Sequence, residues 1–131
     1  MADGLSSTLV SNLLNTLRTA GAAFGPVATY VQLHTASPGA AGTTAVSAGS
    51  STRIAATLSA SSGGSALALS ADVGPWTNGG SSETITHISV WTASTGGTFE
   101  FSIVLTASKA WAPADTFLLK TLGISLSPQA A

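Results

Sequence analysis

TITHISVWTASTGGTFEFSIVLT, Thr84 to Thr106, is the stretch on which the fold turns. In its second half Phe99, Phe101, Ile103 and Leu105 fall on one face and Glu100, Ser102 and Val104 on the other. That two-residue period belongs to a half-buried strand. Thr84 to Trp91 reads as the strand before it, and TASTGG between them reads as a hairpin turn, because glycine takes up positive φ at little cost.

The same alternation recurs upstream. Thr29, Val31 and Leu33 are predicted to point one way and Tyr30, Gln32 and His34 the other. Shorter strands are predicted at Arg53 to Leu58, Ala66 to Ser70, Thr116 to Thr121 and Leu122 to Leu126, with APAD, Ala112 to Asp115, as a turn before the last two. Ser37 to Thr52 is dominated by Ala, Gly, Ser and Thr and reads as an extended surface loop. Ser59 to Ser65 and Asn78 to Ser82 read as shorter loops.

Ahead of these strands the period changes to 3.6. Leu5, Leu9, Val10, Leu13, Leu14 and Leu17 recur at helical spacing over residues 3–21, with Asp3 as the expected N-cap and Gly21 as the stop. That apolar stripe needs a surface to cover it, either its own domain or a neighbouring chain. The expected architecture is therefore mainly β: an antiparallel β-sandwich or small barrel over 28–126 with one N-terminal amphipathic α-helix, 1–131 forming a single domain.

Composition limits the function classes. A chain of 131 residues can hide roughly two-thirds of its extended surface, enough for one core. Only 7% of the residues are charged, against about 25% in an ordinary soluble domain. Four basic residues (Arg18, Arg53, Lys109, Lys120) face five acidic ones (Asp3, Asp72, Glu83, Glu100, Asp115). No two cations are adjacent, so no basic patch is expected to bind nucleic acid or an anionic membrane. With a mean hydropathy of +0.42 and a formal charge of -1, little repulsion keeps copies apart, and a homo-oligomer is expected.

The amino terminus lacks the basic start and unbroken apolar run of a signal peptide, and no apolar run approaches the roughly 20 residues of a membrane span. The absence of cysteine removes disulfides, thiolate nucleophiles and zinc-thiolate sites.

Reactive constellations are equally scarce. No G-x-S-x-G elbow occurs, and neither SGGSA nor STGGTF has the order of a phosphate-binding loop. His34 and His87 lack metal-ligand spacing and are expected to fill hydrogen-bonding positions within a sheet. A glycosidase pair would have to come from Asp72, Glu83, Glu100 and Asp115. No catalytic residue, metal or cofactor is expected. The candidate core or interface anchors are Leu5, Leu9, Leu13, Leu17, Trp76, Trp91 and Trp111; an exposed tryptophan platform would instead favour carbohydrate binding.

The succession ADGLSSTLVSNLLNTL, TYVQLHTASPGAAGT, SSTRIAATL, WTNGGSSETITHISVWTASTGGTF and DTFLLKTLGISL resembles a family of small β-rich accessory virion proteins of tailed bacteriophages, whose members are labelled tail fibre, minor tail or capsid decoration proteins. The likeness spans nearly the whole chain and is most specific in YVQLHTASPG and ETITHISVWTASTGG. One departure is Thr92, where the family turn often carries Asp. The resemblance implies a non-enzymatic virion component, assembled in the host cytoplasm and partnered by major capsid or tail proteins. Decoration of the capsid exterior is the leading expectation. A tail fibre or minor tail protein, or a host-surface carbohydrate-binding module, is the alternative.

Overall fold

A computed structural model describes residues 3–17, 28–61 and 66–125. Among the described residues nine strands and one helix follow in the order β1 (Gly4–Leu5), α1 (Ser7–Asn15), β2 (Thr29–His34), β3 (Ile54–Ala56), β4 (Ala66–Ala68), β5 (Val73–Thr77), β6 (Glu83–Trp91), β7 (Phe99–Trp111), β8 (Thr116–Leu119) and β9 (Gly123–Ser125). Every strand pairing is antiparallel.

The β6–β7 hairpin is the spine. It places β7 and β6 at the middle of a five-stranded sheet ordered β1-β7-β6-β2-β3. Two ribbons, β4–β9 and β5–β8, complete the fold. The described strands do not close on themselves, so the barrel alternative is set aside: the main sheet keeps β1 and β3 as its edges.

Register sorts the side chains. Val31 faces Val90, Leu33 faces Ile88, and Phe101 faces both Val90 and Leu5, which puts these apolar groups on one side of the sheet. The ribbon β5–β8 supplies the other half of the core through Val73, Trp76, Phe117 and Leu119. Phe117 meets Trp76 edge-on at 5.9 Å between ring centroids and Trp111 at 6.3 Å. Such edge-to-face pairs contribute about 0.5–1.5 kcal/mol beyond the area they bury.

Four sequence expectations change. The helix covers Ser7–Asn15 and not 3–21: Gly4 and Leu5 pair with Ser102 and Phe101 as a strand, and the chain turns into the helix at Ser6. Ser6, in place of Asp3, is the cap; its Oγ accepts from the Leu9 N–H at 3.1 Å and donates to the Phe99 carbonyl at 2.9 Å. The stop predicted at Gly21 lies outside the described residues.

Strand β5 was not among the expected strands, and it contains Gly74-Pro75. It forms because the pairing slips between Val73 and Trp76, where the proline's missing donor is tolerated. Strand β7 also runs beyond Thr106 to Trp111, re-pairing with β6 through Lys109–Ile85 after an irregular step.

The largest change concerns Ser37 to Thr52. It is not a loop spread over the outside but a cover for the polar face of the sheet, where Gln32, His34, Ser89 and Ser102 are buried. Gly42, at φ 73°, sits so close to the Phe99 ring that a Cβ would enter it. Small residues here let backbone approach sheet.

Candidate functional site

Two features stand out: a bare helix face and a buried polar network. On α1 only Leu9 reaches the core. Val10 and Leu13 are 38% and 37% exposed, Leu14 62% and Leu17 84%. Val10, Leu13 and Leu14 follow the i, i+3, i+4 rule and make one apolar face of α1, and the exposed Leu17 follows just past the Thr16 C-cap. The helix STLVSNLLN carries no charge along that face or elsewhere. Leu5, half-buried in β1, belongs to the sheet and not to this stripe.

The tryptophans take different positions. Trp76 and Trp111 are buried, with their indole N–H groups donating to the Thr52 carbonyl at 2.8 Å and to Glu83 Oε1 at 3.1 Å. Trp91 is buried on the polar side, beneath the Arg53 guanidinium at 3.7 Å from its ring. Arg53 also donates to the Ala93 and Gly96 carbonyls, at 3.2 and 2.6 Å, and so holds the hairpin turn. No tryptophan offers a bare stacking face.

The polar network runs along three strands. His34 and His87 are opposite one another in the β2–β6 register, yet each ring bonds elsewhere. His34 Nδ1 lies 2.8 Å from the Thr44 carbonyl, which only accepts, so Nδ1 carries the proton. His34 Nε2, 2.7 Å from Ser89 Oγ, is then the acceptor in the neutral ring. Trp91 Nε1 donates to that same Ser89 Oγ at 2.8 Å, giving a relay from Trp91 through Ser89 to His34. Burial holds the His34 pKa below its ordinary value of 6.5, and His87 and Arg53 add to that against the Thr44 and Ala45 backbone bonds.

Asp3 closes the other end of the network. Its Oδ2 is 3.2 Å from His87 Nε2, and its Oδ1 accepts from Ser37 at 2.9 Å and Ser102 at 3.2 Å. The first strand and the start of the covering loop are thereby tied to β6 and β7.

The remaining acids are each committed separately. Glu83 accepts from Ser47 Oγ, from the Ala48 and Gly49 amides and from Trp111. Burial opposes its charge, but these donors together outweigh it and hold the carboxyl below its ordinary value. Glu100, buried on β7, is pushed up by burial. Asp72 pairs with Lys120 at the surface, and Asp115 accepts from the Ala112 amide within its own turn. Among the described residues no three of His, Asp or Glu gather as metal ligands. No described helix is long and apolar enough to cross a membrane.

Sequence reasoning missed the Asp3–His87 pair, the Glu83 hub and the His34 relay. The one available signal was the coincidence of a Gln/His strand face with a neighbouring run of Gly, Ala, Ser and Thr small enough to lie flat on it.

This is a β module whose three tryptophans are buried, whose Asp3, Asp72, Glu83 and Asp115 carboxylates meet internal donors and whose helix presents an apolar face that no described residue buries. The chain belongs to the family described as podophage GP4 fiber I protein gp80, which matches residues 4–127. It is thus a phage fibre-type structural protein by family. No curated protein matches the chain.

Proposed function

We propose that the chain is a non-enzymatic component of a phage tail fibre, built to hold neighbouring virion proteins together. The family match across residues 4–127 carries this reading and favours the fibre over the capsid exterior, which was the leading expectation from sequence. The exposed Val10, Leu13, Leu14 and Leu17 face supports it, because an uncharged apolar stripe loses nothing to charge desolvation when a second chain covers it. The partner on that face is another virion protein or a second copy of the chain, and identical weak contacts along a fibre sum through avidity.

Immunogold labelling of intact particles with an antibody to the chain tests the location. Gold confined to the tail or its fibres supports the reading. Gold distributed over the head returns the chain to capsid decoration, and unlabelled particles remove it from the virion.

A further inference from the structure

The polar side of the sheet holds a device that the assembly role does not use. His34 is fully enclosed between β2, β6 and the covering loop. Its Nδ1–H bonds the loop at Thr44, and its Nε2 accepts from Ser89 on β6. Two backbone bonds join the loop to the end of β2 in the same register: Thr35 N–H to the Ala45 carbonyl at 2.9 Å and Ser47 N–H to the Leu33 carbonyl at 3.0 Å.

Charged and titratable groups surround this point from every packed element. His87 stands opposite on β6, and Asp3 lies behind it on the N-terminal strand segment. Arg53 follows the loop, and Glu83 on β6 grips the loop at the Ala48 and Gly49 amides. A proton added at His34 Nε2 changes that nitrogen from acceptor to donor. Ser89 Oγ would then accept from both His34 and Trp91, leaving its own hydroxyl proton without the acceptor it now has. The new charge would also be buried near the cations Arg53 and, when protonated, His87.

We propose that His34 is a proton-operated latch: protonation at Nε2 breaks the Trp91–Ser89–His34 relay and lets residues 37–52 lift from the polar face of the sheet. The direction follows from linkage. The closed form binds the His34 proton more weakly than the open form, so opening takes up a proton. The opening constant therefore rises by up to about tenfold per pH unit below 6.5, until the closed form itself protonates.

The test is amide hydrogen exchange on the full chain at pH 7.5 and 5.0, corrected for intrinsic exchange rates. Protection at Thr35 and Ser47, whose bonds cross between loop and strand, is expected to fall at least about fivefold at pH 5.0 while Ile88 and Val90 on β6 keep theirs. His34→Gln, whose amide can donate to Thr44 and accept from Ser89 at any pH, is expected to remove the drop. Unchanged loop protection in the wild type, an equal drop in His34→Gln, or loss at β6 together with the loop would overturn the latch. Should His34→Gln not fold, imidazole nitrogen shifts of the wild type decide. A bare Nε2 and protonated Nδ1 at pH 7.5 are required, and the opposite tautomer refutes the relay.

Discussion

Glu83 Oε1 and the indole Nε1 of Trp111 lie 3.1 Å apart, joining the first residue of β6 to the last residue of β7 directly across the sheet. The same carboxylate receives the Ala48 and Gly49 amides, so one side chain fastens the covering loop to the hairpin's base. Glu83→Gln leaves the size but replaces an acceptor by an NH2 group facing donors. Urea unfolding is expected to show a loss of about 1–3 kcal/mol at pH 7. An unchanged midpoint would mean that the hub holds nothing.

Acid should act through the same group. The folded Glu83 pKa lies below its ordinary 4.5, so its contribution is complete above that value and disappears as pH falls through the folded pKa. Thermal unfolding between pH 5 and pH 3 is expected to fall less steeply in Glu83→Gln than in the wild type. Parallel curves would contradict the assignment.

Glu100 has the opposite sign. Burial raises its pKa, so its charged form costs stability as pH rises through the folded value. Glu100→Gln is therefore expected to raise the melting temperature at pH 7 and to have little effect at pH 4. A lower melting temperature at pH 7 would show that the charge is paired after all.

The hairpin was legible because its signals are local: alternation in TFEFSIVLT and paired glycines at Gly96 and Gly97, which take φ of 63° and 72°. The helix was legible in type but not in its start. Asp3 has the chemistry of a cap, yet its carboxylate is drawn to His87, Ser37 and Ser102 by tertiary contacts that no helical period encodes. Burial of Gln32, His34 and Ser102 was illegible for a related reason. Their cover, residues 37–52, is aperiodic and owes its position to the smallness of Gly42 and Gly49.

Arg53 makes a further prediction at the hairpin tip. Arg53→Lys retains charge but loses the planar stack on Trp91 and the fork that reaches both Ala93 and Gly96. A loss of about 0.5–2 kcal/mol and a red shift in Trp91 fluorescence are expected, the shift read in a variant with Trp76 and Trp111 replaced by Phe. An unshifted spectrum would show that the arginine does not cover the ring.

The central claim is that this protein enters the virion through the bare face of α1. The direct measurement is the amount of chain in purified particles carrying Leu14→Asp together with Leu17→Asp, quantified against the wild type by immunoblot. Both side chains are exposed, so the isolated variant should keep its stability to within about 0.5 kcal/mol per site. The account predicts a stably folded chain missing from the particles, while wild-type loading by that same folded variant would contradict it.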